Sequence, residues 1–397
     1  MKKQITLLLV SASFALVGCA STSGTLLPSG ATSLDQSAGI DHLSTAMNAL
    51  TKEDAFGVRL NSLSLSASAD INVPTGTTPT LYSTATGYSV GFGESSLANY
   101  KGSIELSGVK GSVMGKGLTA TAVNDVKASA SLEGSLKASY GSISYDYSGM
   151  SVNAYLASGN LYLDLTNAKT VEFINEILSY SAGYSTMINP SDGTMTSLAP
   201  AINTLAAGKY LETGVLKADA LPLLSEKTQK NISDDMASWS ANLKANKDYF
   251  KTYSYANGNY AIDLSLTKET LLGLMSAATS AASSEAGGMT SAISSIERMI
   301  SKFVTINACQ EVFVFNDKGP VSSALNVDIA VNTTLGEIYS EATSGVSSAE
   351  SIPDGYSSAK EAVSFKFAYN MDFLSGDNVA VSEVSDPSAY SVPSKLA

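Results

Sequence analysis

The sequence predicts an α+β fold: a large antiparallel β-sheet with one apolar face, and helices packed against that face. Three observations predict it. Leu63, Leu65, Ala67, Ala69, Ile71 and Val73 alternate with Ser64, Ser66, Ser68, Asp70 and Asn72, the period of a strand with one dry and one wet side. Val363, Phe365, Phe367, Tyr369, Met371 and Phe373 repeat that period against Ser364, Lys366, Ala368, Asn370 and Asp372. At about 3.3 Å per residue this second strand runs some 35 Å, long for a globular domain. Between the two, Val171, Ile174, Ile177 and Leu178 recur at helical spacing. A large one-faced sheet must bury its apolar side, and amphipathic helices are what the chain has to cover it.

The N-terminal segment sets the organisation. Met1-Lys2-Lys3 precedes an apolar run from Ile5 to Val17, a basic region and a hydrophobic region too short to cross a bilayer as a mature helix. The run ends in Leu16-Val17-Gly18-Cys19, the lipobox pattern, in which small residues ahead of an obligatory Cys permit cleavage before it. The thiol of Cys19 then takes a diacylglycerol, and two or more acyl chains give stable anchoring. The expected organisation is a signal peptide over 1–18, the acylated Cys19 with a flexible tether over 19–33, and a single domain over 34–390. The expected location is the cell envelope, with the membrane as partner through the N-terminal lipid.

Composition narrows the partners. The formal charge is −12 and only 15% of residues are charged, which argues against nucleic acid and against attachment through anionic headgroups. With two cysteines in the chain and Cys19 given to the lipid, no internal disulfide framework is available. Cys309 then reads as a small buried hydrophobe.

Along the domain, Ile40, Leu43, Met47 and Leu50 place a short amphipathic helix within 34–56. The meander continues from the strand at 63–73 through Ile104 and Leu106, then Val126 to Leu132 with Gly134 as a turn. It goes on through Leu136, Ala138 and Tyr140 into Ile143, Tyr145 and Tyr147. Val152 to Leu156 and Leu161 to Leu165 form a hairpin about Ser158-Gly159-Asn160. A helix starts near Asn167, within a helical insertion expected over about 167–250. There Pro190, Pro200 and Pro222 divide 185–250 into short helices and turns. Tyr253 to Leu266 is a hairpin about Asn257-Gly258-Asn259, with Thr267 as the N-cap of a helical region over 268–302 that breaks at Gly287-Gly288. Val312 to Phe315, the turn Asn316-Asp317-Lys318-Gly319-Pro320, and Leu325, Val327, Ile329 and Val331 form the last hairpin before the long strand. Gly159–Thr166 and Gly258–Ser265 echo one another, each a Gly-Asn strand leading directly into a helix.

Catalytic chemistry finds little material. His42 is the only histidine, on the first helix beside Asp41, and reads as solvated. No Gly-x-Ser-x-Gly elbow, phosphate-cradling loop or dinucleotide fingerprint occurs, and a zinc site lacks its His and Cys ligands. Paired carboxylates would suffice for a glycosidase. The Asp234-Asp235 doublet reads as a helix N-terminus, however, and Asp164 and Asp263 as the wet sides of strands. No enzyme activity, metal or cofactor is therefore expected.

The order helix, meander, helices, hairpin, helix, hairpin and long final strand resembles the half-barrel lipoproteins and chaperones grouped around LolA, LolB and LppX. Three stretches carry the likeness: the helix before the first strand, the Gly-Asn strands followed by helices, and Phe313-Val314-Phe315-Asn316-Asp317-Lys318-Gly319 leading into Leu325–Ile329. The chain is longer than the compact members, chiefly over 180–250. The resemblance implies a curved sheet, a half-barrel, with helices packed on its concave face and lipid or lipoprotein acyl chains held there. On that implication the apolar ligand would touch Ile293, Ile296, Ile300, Phe365, Phe367 and Tyr369. The expected function is a membrane-anchored lipoprotein that binds or carries a lipid or other apolar ligand. The alternative is a structural or adhesive surface lipoprotein making protein or glycan contacts through Tyr140, Tyr145 and Tyr147.

Overall fold

The computed structural model describes residues 26–75, 80–84, 87–91, 96–184, 186–188, 195–197, 206–245, 250–270, 272, 298–342 and 356–392. In chain order, β1 (Thr32–Leu34) leads into helix α1 (Gln36–Leu50), then β2 (Ala55–Thr75), a small hairpin β3 (Thr80–Thr84) and β4 (Gly87–Gly91), and β5 (Ser96–Lys116). The meander β6 (Lys127–Tyr140), β7 (Ile143–Ala157) and β8 (Asn160–Leu165) passes into α2 (Ala168–Tyr184). A second small hairpin, β9 (Thr186–Ile188) and β10 (Met195–Ser197), precedes β11 (Gly208–Glu212) and α3 (Glu226–Ala245). Strands β12 (Lys251–Ser254), β13 (Tyr260–Ser265), β14 (Val304–Asn316) and β15 (Gly319–Thr334) are followed by α4 (Leu335–Ala342) and β16 (Lys360–Ser375).

Twelve strands form one open antiparallel sheet in the order β1-β12-β13-β14-β15-β16-β2-β5-β6-β7-β8-β11. The sheet does not close, and with its few helices the fold is the α+β half-barrel class. The alternation read in the sequence sorts its two faces. Register pairs Phe365 with Ala67 and Ile329, and Ala67 with Ile104, so the apolar residues of adjacent strands share one side. The opposite, outer side carries hydroxyl pairs between neighbouring strands: Ser68 with Ser364, Ser103 with Ser139, and Ser112 with Ser131, at 2.8, 2.8 and 2.9 Å.

Two helices cover one half of the apolar side. Asp35 caps α1 by accepting a hydrogen bond from the Ala38 amide (3.1 Å). The helix buries Ile40, Leu43 and Ala46 against Ile262, Phe313, Phe315 and Phe250, and α3 adds Trp239 and Leu243 to the same cluster. The Lys244 Nζ to Asp41 Oδ1 pair (2.5 Å) ties the two helices at the surface. A second cluster, Ile306, Cys309, Leu325, Val327 and Tyr369, continues this core along β14, β15 and β16. At the other side of the sheet α2 packs on β7. Phe173 meets the edge of Tyr147 at 5.2 Å, Glu176 accepts from the Tyr147 hydroxyl, and Thr170 Oγ1 donates to the Ser151 carbonyl.

Several expectations are corrected. Gly134 is not a turn but an interior residue of β6, beside a register shift against β7. A Cβ there would lie 2.7 Å from the Val109 side chain, so a close approach between neighbouring strands demands the glycine. Residues 226–245 form one 20-residue helix rather than short pieces, begun by Ser225, whose hydroxyl accepts from the Thr228 amide. The 167–250 region also contributes β11 to the sheet, paired with β8, so it is not wholly helical. The tether is not free over its whole length: the Leu26 amide donates to Gln310 Oε1 (3.0 Å), and Thr32, Ser33 and Leu34 pair with β12. The echo of Gly159–Thr166 and Gly258–Ser265 corresponds to β8, beside the end strand β11, and β13, next but one from the end strand β1.

The C-terminal segment straps the outer face. Val379 is buried with Ala55 and Met114, the Ser382 amide donates to Ser129 Oγ (3.0 Å), and Lys127 pairs with Glu383 (2.6 Å). The segment ends at β11, where Tyr390 meets the edge of Tyr162 (5.3 Å). There the Ser391 amide and carbonyl bond to Lys209 and Leu211.

Candidate functional site: an apolar trough

Between the half covered by α1 and α3 and the strip covered by α2, no helix among the described residues covers the apolar side of the sheet. Two register rows floor it. Val58, Val113, Ala130 and Ala154 stand opposite one another on β2, β5, β6 and β7, and Leu60, Gly111, Leu132 and Val152 form the row beside them. Together with Ser112 and Ser131, whose hydroxyls pair on the other side of the sheet, these residues line a trough of about 270 Å3. Its volume lies just below the range of roughly 300–1,000 Å3 typical of ligand pockets. Val113 is 62% exposed and Leu132 48%, high values for aliphatic side chains in the middle of a sheet.

The depression follows from side-chain size. Ala130 and Ala154 leave the first row low, and Gly111 leaves the second low between Leu60 and Leu132. A Cβ on Gly111 would lie 2.4 Å from the Ser131 carbonyl oxygen. Phe373 and Met371 of β16 stand beside Val58 and Leu60 as one wall, and Leu163 of β8 stands beside Ala154 on the other side. Seven of the lining residues carry aliphatic side chains and none is charged, so the trough offers dispersion and water exclusion, without ionic recognition.

The uncovered region continues beyond the trough. Val363, Phe365, Ile104, Tyr100, Tyr140 and Ile143 are all exposed, and Tyr100 stacks on Tyr140 with ring centroids 6.5 Å apart. Contiguous exposed apolar side chains are the surface from which ligand, partner and membrane contacts are generally built.

The expected lipidation site Cys19, and Ile293 and Ile296 of the residues expected to touch ligand, lie outside the described residues. Ile300 is half-buried. Phe365, Phe367 and Tyr369 share the apolar face on β16, with Phe365 39% exposed, Phe367 half-buried and Tyr369 buried. None of these lines the trough. The lining residues come from β2, β5, β6 and β7, where Ala, Gly and Ser occupy both faces and blur the alternation. Of the three tyrosines singled out, Tyr140 is exposed and Tyr145 half-buried, whereas Tyr147 is buried under α2.

One buried acid escaped notice in the sequence. Glu311 stands on the apolar side of β14, opposite Leu325, and is only 4% exposed. Tyr369 Oη donates to its Oε1 at 2.7 Å and Ser323 Oγ at 3.4 Å, while Oε2 has no hydrogen-bond partner. Burial pushes its carboxyl up to about 7, against the lowering effect of the two hydroxyls. A carboxylate inside Gln310-Glu311-Val312-Phe313 was the available signal.

The catalytic candidates do not assemble. His42 is not simply solvated: its ring stacks on Tyr260 (centroids 3.8 Å apart) and its Nδ1 lies 2.8 Å from Asp317 Oδ1, pinning α1 to the β14–β15 turn. Asp164 and Asp263 lie in opposite halves of the sheet. The Asp234-Asp235 doublet sits inside α3 and not at its start, with Asp234 paired to Lys230 at 2.9 Å. Among the described residues, no group of three or more His, Cys, Asp or Glu could hold a metal ion, and no helix is long and apolar enough to cross a membrane. No family model matches the chain, and no match is found among curated proteins.

Proposed function

We propose that the protein is a membrane-anchored cell-envelope lipoprotein that binds or carries a lipid or other apolar ligand in the trough. The observation that carries this reading is the uncovered aliphatic floor, Val113 and Leu132 above all, in a fold that buries comparable side chains elsewhere. Burying such surface under an acyl chain contributes about 25 cal/mol per Å2, so a chain lying along the trough gains affinity without any polar contact. Anchoring rests on the Leu16-Val17-Gly18-Cys19 pattern. The absence of charge from the lining favours the tail of a ligand over its head.

The test is native mass spectrometry of residues 20–397 expressed where the protein meets cellular lipids, followed by titration with a fluorescent fatty acid. An added mass released by organic solvent, together with saturable uptake, is the expected result. Ala130→Phe combined with Ala154→Phe fills the floor and is expected to weaken uptake at least about tenfold, the equivalent of ~1.4 kcal/mol. A bare polypeptide mass with no uptake defeats the proposal.

A second reading, a structural or adhesive surface lipoprotein, draws on the exposed Tyr100, Tyr140 and Ile143 at the far end of the strands. Loss of a crosslinked partner on Tyr140→Ser, with fatty-acid uptake intact, would favour it.

A further inference from the structure

The docked part of the tether constrains how an anchored molecule sits on its membrane. Leu26 and Leu27 pack on the outer face against Ala261, Val312 and Val314, among Tyr253, Tyr255 and Val321. The hydrogen bond from the Leu26 amide to Gln310 holds the chain there, and Gln310 Nε2 in turn donates to the buried Asp263 carboxylate (3.0 Å). The chain then turns at Gly30, where φ is +85°, and runs as β1 along the free side of β12. It crosses to the apolar side only with α1. The segment therefore wraps round the edge of the sheet, and its N-terminal end leaves from the outer face.

Seven residue-to-residue steps lead from Cys19 to Leu26, and at 3.3–3.6 Å each they reach at most about 25 Å. From Gln310 on β14 to the middle of the trough on β5 and β6 there are four to five strand spacings, about 19–24 Å at ~4.8 Å each, which uses nearly the whole of that reach before any change of face. The trough also opens on the opposite face. We infer that the anchored protein lies with the outer face of β12–β15 against the bilayer that holds its lipid, and with the trough turned away from that bilayer. This rests on the acylation of Cys19 proposed above. Its consequence is that ligand passes between the trough and a donor or acceptor in the aqueous compartment, and not directly to the host membrane.

The experiment uses the full lipidated chain in phosphatidylethanolamine–phosphatidylglycerol vesicles containing a headgroup-nitroxide lipid. Single cysteines carry a fluorophore at Lys251, exposed on the outer face, or at Val113 or Tyr140 on the apolar side; native Cys309 is buried and stays unlabelled. Loss of most emission for Lys251→Cys, with little loss for Val113→Cys and Tyr140→Cys, is expected. Leu26→Asp with Leu27→Asp should undock the tether and remove the difference. A Gly-Ser insertion ahead of Leu26 should do the same without touching the packed residues. Equal quenching on both faces, or stronger quenching at Val113 and Tyr140, overturns the orientation while leaving lipid binding intact. A mass showing Cys19 without acyl chains overturns the orientation and the anchoring together.

Discussion

Glu311→Gln is expected to flatten the pH dependence of stability between about pH 4.5 and 7. The carboxyl sits at about 7 in the folded protein, whereas an unfolded glutamate titrates near 4.5. Between those values the folded state keeps a proton that the unfolded state has released, so stability falls as pH rises. The loss amounts to on the order of 3 kcal/mol, complete by the time pH exceeds the folded value. Above it the molecule holds a buried carboxylate with hydroxyl donors on one oxygen and nothing on the other. Gln keeps an acceptor for Tyr369 and carries no charge, so the variant should be the more stable protein at pH 8. Near pH 4.5 its new amide lacks an acceptor and the advantage vanishes. Asp54, Asp70, Asp146, Asp164, Glu341 and Glu383 are all held below their ordinary range by hydrogen bonds or nearby lysines, outweighing any burial. Their contributions are lost only as pH falls below the ordinary carboxylate range, which leaves the Glu311 window clear. Urea unfolding followed through Trp239, the only tryptophan, measures both proteins across the range. Parallel profiles for the two would show that Glu311 is already ionised when folded.

Phe315→Ala is expected to cost about 3–5 kcal/mol, enough to unfold much of the population in a domain of ordinary stability. Phe315 has no exposed surface, and its ring lies 5.8 Å from that of Phe313 and 5.9 Å from that of Tyr260. Ile40 and Leu43 of α1 seal it from above. The void would form where helix, hairpin and turn converge, so collapse could come only from a shift of α1 that disturbs the His42–Asp317 pair holding it to the turn. A thermal transition lowered by only a degree or two would mean that the helices contribute little to this core. Val113→Ala is the useful contrast, since a side chain already 62% exposed has little burial to lose.

These two residues also show how unevenly the sequence discloses the molecule. Strong contrast between neighbouring positions was readable: Leu63 to Val73, Leu325 to Val331 and Val363 to Phe373 each became a strand with the expected facing. Ile40 and Leu43 became the buried side of α1. Weak contrast was not. Strands β5 and β6 place Ala, Gly and Ser on both sides, and the small residues that weaken their periodicity are the ones that hollow the trough. Gly134 illustrates the same difficulty in one residue, because a glycine required by a close approach between strands reads in sequence like one required by a turn. The α3 helix was hidden by its polar composition, although Ser225-Glu226-Lys227-Thr228 carried a cap signal. Glu311 could not be placed because a strand with large side chains on both faces gives no clue to which of them water reaches.

An open sheet has two rims of unsatisfied backbone, and here both are occupied by the chain's own extremities. β1 closes one rim with a strand of three residues, too short to template another molecule, and Ser391 bonds across to Lys209 and Leu211 on the other. A half-barrel is otherwise well suited to grow by strand addition into dimers and fibrils. The segments at Thr32–Leu34 and Ser391 thus leave less open edge for strand addition, and on the anchoring proposed above, which concentrates the protein in two dimensions, that matters most. Clipping the C-terminal segment by a protease would leave the trough untouched and still turn β11 into an adhesive margin.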